Sequence, residues 1–425
     1  MAVKVEPSEV KAVLLAFLCN FVLLASYYIL RPLRDTMATV FGADELQNLF
    51  TGTFVITFLC APVYAAVAAK VRLERFLPGL FWFWIFNILI FYVLFQAAPE
   101  NRWVAAAYFW WFSVVNLFLI SVFWTFMADI FSTRQAPRLF AFIAAGGSAG
   151  AIAGPLMTTL LVGLIGVGGL LLCAAGGFAI VILLIHLLMR EKEERRLTHQ
   201  DGQSTTLNHS LPGNPFRGFS LLLKSPYLLG QAAFMLLLTW VATVIYFLQT
   251  DLIAKAYVGV ESRTIAFAEL DLVVNVVAAV ILIFGLGRVI QRFGITASLV
   301  LTPVAMMAAF CGVAFAPTLF MVQSARALQR ITQYAIARPS REILFTVVDQ
   351  ESRYKAKNVI DTVVYRFGDL SAAWMQAGLR AANFGIAGAA ALGLAASAAW
   401  AVVAYGMGRR YEAVSKPVDA SRESH

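Results

Sequence analysis

Long apolar stretches dominate this sequence, and their length decides what the chain can fold into. A helix needs about 20 apolar residues to span the core of a bilayer, and the chain contains roughly twelve stretches of that length. Hydrophobic residues occupy 60% of the 425 positions and charged residues only 13%, about half of the charged share of an ordinary globular domain. Such a chain cannot cover itself with a water-facing surface. The sequence therefore predicts an all-α polytopic membrane protein.

A polar stretch at 190–225 divides these apolar stretches into six and six. Its charge run followed by Gly, Ser, Asn and Pro is typical of a flexible linker. We predict an N-terminal six-helix bundle over 1–189, a cytoplasmic linker over 190–225, and a C-terminal six-helix bundle with a short cytoplasmic tail over 226–425. This 6+6 arrangement is the plan of major-facilitator-like proteins. The predicted spans are approximately 12–34, 47–69, 76–98, 103–131, 138–163, 165–189, 226–252, 264–288, 295–316, 318–346, 357–381 and 384–407.

The distribution of basic residues predicts an orientation. If both termini lie inside, the inside segments hold 22 of the 33 Lys and Arg residues, and the outside loops hold 4. The positive-inside rule gives such a split for a chain whose termini both face the cytoplasm. The net charge of +9 therefore reflects topology, and we expect no nucleic-acid partner, since the basic residues are not clustered in one soluble segment.

Four arginines lie within the tenth predicted span. In a regular α-helix, at about 100° per residue, they and one tyrosine fall within about a third of the circumference. An ionisable group at membrane depth costs about 2.5–3.5 kcal/mol by insertion scales, so a face with four like charges cannot meet lipid. We expect this face to line a hydrated cavity and to bind an anionic solute, with structural ion pairs as the alternative. The residues are Arg326, Arg330, Tyr334, Arg338 and Arg341.

Two further features bear on this span. Pro339 is expected to kink the helix beside Arg338, because proline removes an amide donor and disfavours helix at the preceding residue. In the eleventh predicted span, Asp361, Tyr365 and Asp369 repeat every four residues, so they share a helix face. This stripe is a plausible ion-pair partner for the tenth span, and we count Asp361 and Tyr365 among the candidate substrate-binding residues.

Polar residues also follow the first apolar stretch. Tyr27, Arg31, Arg34 and Asp35 lie at spacings that place them on about one helix face. They form either part of a substrate site or a belt at the outer membrane interface, where Tyr and Arg are common. In the fourth span, Asp129 could pair with an arginine, titrate as a proton carrier, or lie at the cytoplasmic rim beside Arg134.

Three glycines repeat every four residues in the fifth span. Gly146, Gly150 and Gly154 are followed by Pro155, and such small-residue spacing lets helices approach closely. The Gly-x-x-x-Gly-Pro core resembles the antiporter motif of facilitator-type exchangers and so favours exchange. The chain contains neither a G-x-x-x-x-G-K-[ST] loop nor HEXXH or CxxC spacing. We therefore expect no cofactor, no bound metal and no enzyme activity.

Three segments resemble the bacterial and plastid ATP/ADP carrier family, which exchanges nucleotides and has a facilitator-like fold. The resemblance implies that Arg34, Asp129 and Arg341 take the places of charged residues of the family. It also implies an anionic, phosphorylated substrate and a bacterial inner membrane. Arg stands where the family commonly has Lys, so a planar guanidinium with several donors replaces a compact ammonium charge. Asp stands where the family commonly has Glu. The segments are YYILRPLRDTM (27–37), FWTFMADIFSTRQAPRLFAFIAAGGSAGAIAG (123–154) and ARPSREILFTVVDQESRYKAKNVIDTVVYRFGD (337–369).

Three functions follow as hypotheses. The first is a secondary active transporter that exchanges an anionic or phosphorylated organic solute by alternating access, with nucleotide exchange as the case that the family implies. The second is a proton-coupled exporter of lipophilic or cationic compounds, with Asp129 or Asp361 as the titrating group. The third is a membrane scaffold or lipid-handling subunit without solute flux. Four arginines on one face favour an anionic small molecule, with the lipid bilayer as the other partner.

Overall fold

The computed structural model describes residue 6 and residues 9–70, 73–132, 135–198 and 217–422. These residues form helices joined by short connections and no strand, which confirms the all-α class. The helices are α1 (Val10–Phe41), α2 (Leu46–Lys70), α3 (Leu73–Ala97), α4 (Arg102–Ile130), α5 (Ala136–Thr198), α6 (Arg217–Lys224), α7 (Pro226–Ala256), α8 (Val260–Phe284), α9 (Leu286–Phe315), α10 (Leu319–Thr332), α11 (Arg338–Leu344), α12 (Gln350–Val359), α13 (Tyr365–Ala381) and α14 (Gly385–Arg422).

Every predicted span overlaps a helix or a run of helices, but several helices extend well beyond the predicted bounds. Helix α1 ends at Phe41 rather than at 34, α9 begins at Leu286 rather than at 295, and α14 ends at Arg422 rather than at 407. Eight helices of the described part of the chain are long and apolar enough to cross a membrane, judged by length and composition. Helix α5 carries two predicted spans, 138–163 and 165–189, and is broken between them at Gly166, where φ is 66°. Glycine adopts this left-handed conformation without steric cost, so the break falls where the sequence allows it.

Two predicted spans are interrupted by π-helical turns. In the tenth, the π-helical segment Gln333–Ala337 lies between α10 and α11. In the eleventh, the π-helical segment Ile360–Val364 lies between α12 and α13. Such turns are rare and frequently occur at functional sites. Helix is not disfavoured at Arg338 as expected, since this residue keeps a helical φ of −63° before Pro339. The irregularity of this span is instead the π-helical turn that ends at Ala337.

The described residues divide into two compact units. The first unit takes those within Met1–Gly42, Val55–Leu211 and Tyr257–Leu272, and the second takes those within Ala43–Phe54, Pro212–Ala256 and Val273–His425. Each unit has its own apolar core. The first few residues of α2 thus cluster with the second unit, and the start of α8 clusters with the first.

The glycine repeat of the fifth span packs against α1 within the first unit. A Cβ atom added at Gly154 would lie 2.6 Å from the carbonyl oxygen of Ala25, and one at Gly150 would meet the carbonyl oxygen of Phe21 even more closely. Real side chains do not tolerate such distances to backbone atoms, so the repeat permits the approach of α5 to α1. The expectation of close helix packing is confirmed.

Only the two ends of the predicted linker are among the described residues. Its residues 199–216 lie outside the described residues. At its start, α5 continues to Thr198, and at its end Arg217–Lys224 forms the short helix α6. The flanks of the polar stretch are therefore helical rather than irregular, because helix-forming Glu, Lys, Arg and Leu residues occupy them.

Candidate functional site

Capping side chains fix the starts of α10 and α12, which are the first helices of the two interrupted spans. The hydroxyl of Thr318 accepts a hydrogen bond from the backbone N–H of Met321 at 3.3 Å and begins α10. The carboxylate of Asp349 accepts one from the N–H of Ser352 at 2.9 Å and begins α12. This bond favours the ionised form, so it lowers the pKa of Asp349. Thr318 is the first residue of the tenth predicted span, and Asp349 lies between the tenth and eleventh spans.

Two guanidinium groups flank one aromatic ring in the second unit. The guanidinium carbon of Arg330 lies 5.6 Å from the ring centre of Tyr334, and that of Arg338 lies 5.1 Å from the same centre. These distances are within the range of cation–π attraction. Arg330 is buried at 3% exposure, whereas Arg338 is exposed. Arg338 takes part in none of the ion pairs formed by the described residues.

One turn before this group, Arg326 is held by the protein itself. Its Nη1 donates to the carbonyl oxygen of Ala242 at 3.0 Å and to the side-chain oxygen of Gln329 at 2.8 Å. Its guanidinium carbon lies 5.3 Å from the ring centre of Tyr246 on α7. Gln329 in turn donates to Gln333. A buried polar series thus runs along α10 into the π-helical segment.

Arg341 forms a different kind of contact. Its Nη2 lies 2.6 Å from Oδ1 of Asp361 and 3.5 Å from Oε1 of Glu342. Glu342 also pairs with Lys357 at 2.5 Å. The side chain of Arg341 is 5% exposed and that of Asp361 is 34% exposed. The expectation that Asp361 provides an ion-pair partner for the tenth span is met at Arg341.

The remainder of the polar stripe on α13 faces other groups of the second unit. Asp369 accepts a hydrogen bond from the hydroxyl of Thr243 at 3.1 Å and lies 3.7 Å from Nη1 of Arg366. Tyr365 is the first residue of α13, and the guanidinium carbon of Arg366 lies 5.8 Å from its ring centre. The two interrupted spans therefore contribute neighbouring charged groups of both signs.

The arginines of the tenth span do not form one uniform charged face. A π-helical turn has more residues per turn than an α-helix, so the angles of a regular wheel do not extend across Gln333–Ala337. Of the four, Arg341 is paired with a carboxylate, Arg326 bonds to backbone and amide groups, and Arg330 is buried beside Tyr334. Arg338 is the one that is exposed.

In the first unit, the aromatic and basic residues near the end of α1 are packed among rings. The hydroxyl of Tyr27 donates to Asn116 at 2.7 Å, and its ring stacks on Phe112 with centres 5.0 Å apart. The guanidinium carbon of Arg34 lies 4.1 Å from the ring centre of Phe109, and its Nη1 lies 3.2 Å from Oδ1 of Asp35. Tyr27 and Asp35 are buried. Tyr27 and Asp35 thus belong to the packed interior of the first unit.

Arg31 connects α1 to the start of α8 within this unit. Its Nη1 lies 3.6 Å from Oδ1 of Asp271, whose side chain is 2% exposed. The hydroxyls of Thr36 and Thr264 lie 3.0 Å apart farther along the same two helices. Sequence reasoning did not identify Asp271 as the partner of Arg31.

Asp129 lies near the end of α4 and pairs with Lys192 on α5 at 2.7 Å. Both side chains are more than a third exposed, at 40% and 38%, so this is a surface ion pair of small energetic value. Its position near the helix end corresponds to the rim location among the alternatives from the sequence. Arg134, the expected neighbour at that rim, lies outside the described residues.

Several polar groups near the arginines were missed by sequence reasoning. Gln329 and Gln333 are buried and bonded to each other, and Gln249 donates to Gln323 at 2.8 Å. The i, i+4 spacing of Gln329 and Gln333 within an apolar stretch is the signal that could have revealed this pair, because intramembrane amides need partners. In the part of the chain that the structure describes, no group of three or more His, Cys, Asp or Glu side chains is arranged to hold a metal ion.

Comparisons with known proteins bear on the fold. The family model of the Major Facilitator Superfamily matches residues 16–325. ADP,ATP carrier protein 1 of Chlamydia pneumoniae is 23% identical over 455 residues, which cover 88% of this chain and 85% of that protein.

Solved structures of transporters are also similar. A bacterial homologue of the iron transporter ferroportin, in an inward-facing state, matches with a TM-score of 0.65 and 12% identity over 94% of this chain and 99% of that chain. The nucleoside transporter NupG matches with a TM-score of 0.60 and 15% identity over 95% and 98%. At these identities the likeness establishes the fold alone.

Proposed function

We propose that this chain, which belongs to the Major Facilitator Superfamily of membrane transporters, exchanges an anionic, phosphorylated organic solute, with a nucleotide as the first candidate. The proposal includes alternating access driven by solute gradients. We also propose that the chain lies in a bacterial inner membrane with both termini in the cytoplasm. The 22-to-4 distribution of basic residues supports this orientation of the termini.

The observation that carries the proposal is the arrangement around Tyr334. Arg330 and Arg338 place two guanidinium groups within 5.6 Å and 5.1 Å of its ring centre, beside a π-helical turn. Guanidinium groups match phosphate and carboxylate oxygens in a two-pronged geometry that a point charge cannot offer. Because Arg338 is exposed and in no ion pair of the described residues, its donors are available to an anion. An arrangement of this kind favours an anionic over a cationic solute.

Two further observations support a nucleotide. The relative in Chlamydia pneumoniae bears the name of an ADP,ATP carrier and aligns with 88% of this chain. The half-buried ring of Tyr334 offers an aromatic surface, and aromatic side chains stack on nucleobases with about 1–3 kcal/mol per base. Both are consistent with a solute that combines phosphate charge with a flat ring.

The pairing of Arg341 narrows the proposed binding set. This guanidinium already contacts Asp361 at 2.6 Å, so we assign it a structural role in holding the two interrupted spans together. We retain Arg326, Arg330, Tyr334 and Arg338 as candidate solute ligands. The corresponding candidates from α1, Tyr27, Arg31, Arg34 and Asp35, remain proposals for the first unit.

Exchange in proteoliposomes tests the proposal. Vesicles that contain the purified protein are loaded with unlabelled ATP or ADP, and uptake of labelled nucleotide is compared with that of empty vesicles. We expect uptake to depend on internal nucleotide and to be lost in Arg338→Gln. Arg292→Gln is the matched control, because Arg292 is an exposed arginine of α9 whose guanidinium carbon lies 5.7 Å from the ring centre of Phe293. A panel of sugar phosphates and carboxylates then distinguishes a nucleotide from other anions.

The alternatives predict different results in the same vesicles. A proton-coupled exporter would move lipophilic or cationic dyes when a pH gradient is imposed, and a scaffold would move nothing. One of the two carboxylates considered for proton coupling, Asp361, is engaged by Arg341, and the other, Asp129, by Lys192. Dye efflux that depends on the pH gradient, without anion exchange, would contradict the proposed function.

A further inference from the structure

The short helix α6 exposes an amphipathic face. Leu223 is 70% exposed and Phe219 is 38% exposed, and their i, i+4 spacing places them side by side. Arg217, Ser220 and Lys224 are also exposed. At about 100° per residue, the two apolar side chains occupy one part of the exposed face, and the two basic residues occupy the adjoining part.

The opposite face of α6 is fixed to α12. Gly218 and Leu222 are buried, and a Cβ atom at Gly218 would lie 2.7 Å from the carbonyl oxygen of Lys355. The guanidinium of Arg217 lies 2.8 Å from Oε1 of Glu351. This close backbone approach and ion pair hold α6 in one orientation, so its amphipathic face is directed outward by the fold of the second unit.

The position of α6 along the chain places this face at a membrane surface. Only Ser225 separates α6 from α7, a helix long and apolar enough to cross a membrane from Pro226 onward. The hydroxyl of Ser225 accepts from the backbone N–H of Leu228 at 3.3 Å and begins the new helix. A short helix that ends one residue before a span lies in the interfacial layer, where apolar side chains enter the acyl region and basic ones meet headgroups.

We propose that the exposed face of α6 is a binding surface for anionic phospholipid. Phe219 and Leu223 insert into the acyl boundary, and Lys224 meets the phosphate of the headgroup. Lys224 is in no ion pair of the described residues, so its charge is available, whereas Arg217 is occupied by Glu351. An anionic membrane surface attracts a nearby basic residue, which is the basis for selectivity over zwitterionic lipid.

Thermal unfolding of the full-length protein in detergent tests the proposal. Phosphatidylglycerol is added in one series and phosphatidylcholine in another. A ligand of the folded state raises the Tm, so we expect phosphatidylglycerol to raise it more than phosphatidylcholine does. The double variant Leu223→Ser/Lys224→Gln should lose most of this difference. Val258→Ser/Lys255→Gln is the matched control, since it changes an exposed aliphatic residue and an exposed lysine near the other end of α7.

Three results would overturn the proposal: equal Tm shifts with both lipids, an undiminished difference in the double variant, or an equal shift from water-soluble glycerol phosphate. A second measurement covers a double variant that fails to fold. In Leu223→Trp, the emission added to that of the nine native tryptophans should be quenched more by brominated phosphatidylglycerol than by brominated phosphatidylcholine. Absence of that preference would also contradict the assignment.

Discussion

The guanidinium of Arg341 lies 2.6 Å from the carboxylate of Asp361, and this ion pair joins α11 to the π-helical segment that follows α12. The two residues are 20 positions apart in the sequence. Their contact links the two predicted spans that are interrupted by π-helical turns. Because the side chain of Arg341 is only 5% exposed, its charge is stabilised mainly by this carboxylate and little by water.

Removal of Asp361 should destabilise the protein. Asp361→Asn leaves the charge of Arg341 buried without its closest carboxylate. Loss of one partner from a fully buried pair costs about 3–5 kcal/mol. Because Asp361 is 34% exposed and solvent screens such pairs, we expect a decrease of about 1–3 kcal/mol in the free energy of unfolding. Thermal unfolding in detergent measures the corresponding fall in Tm.

A double-mutant cycle distinguishes this pair from two independent effects. We expect Arg341→Gln/Asp361→Asn to cost less than the sum of its single variants, since residues in contact are coupled by about 0.5–3 kcal/mol. Strictly additive costs would show that the contact contributes nothing to stability.

The glycine repeat of α5 should be intolerant of side chains. A Cβ atom at Gly150 would lie 2.9 Å from the backbone nitrogen of Ala25 and closer still to the carbonyl oxygen of Phe21. We expect Gly150→Ala to lower the free energy of unfolding by about 1–3 kcal/mol, the range for overpacked interiors. Gly176→Ala is the control on the same helix, because nothing lies within 4 Å of its added Cβ. An equal Tm for the two variants would argue against close packing of α1 and α5.

Arg338 should contribute to anion affinity without a large effect on stability. Hydrogen bonds to charged groups contribute about 1.5–3 kcal/mol, and each 1.4 kcal/mol is about tenfold in Kd. Arg338→Gln should therefore raise the Kd of the transported anion by about ten- to a hundredfold, as measured from the concentration dependence of the thermal shift. Arg338→Lys should retain part of the affinity. An unchanged Kd in both variants would exclude Arg338 as a ligand.

Arg330 should behave differently, because it is buried at 3% exposure. Arg330→Gln is expected to abolish the anion-dependent thermal shift and also to change the Tm of the protein without anion. A lower Tm together with an undiminished shift would assign this residue a purely structural role.

The ring of Tyr334 should matter more than its hydroxyl group. Tyr334→Phe keeps the aromatic face near Arg330 and Arg338, whereas Tyr334→Ala removes it. Cation–π contacts contribute about 0.5–2 kcal/mol, so Tyr334→Ala should weaken anion binding several-fold, and Tyr334→Phe should leave it nearly unchanged. Equal losses in the two variants would instead indicate that the hydroxyl group is the contact.

Sequence reasoning predicted the stretch of chain that carries the candidate site but not the arrangement of its side chains. Arg326 to Arg341 are all in the tenth span, as expected, yet the angles of a regular helix do not apply across the π-helical turn at Gln333–Ala337. Proline at 339 signalled an irregularity, but no local pattern specifies its form. The partner of Arg31, Asp271, is 240 positions away, and spacing along one helix cannot reveal such a contact.

The sequence by itself determined the membrane class, the approximate bounds of the spans and the presence of charged groups within them. Those properties follow from local composition. The thickness of the bilayer sets the length of each apolar stretch, and charged residues within such a stretch are rare because burying a charge is costly. Only the tertiary structure decided which arginine is paired with a carboxylate, which is buried beside a ring and which is exposed. The energy of a charged side chain depends on distances to groups that are remote in the sequence, and folding sets those distances.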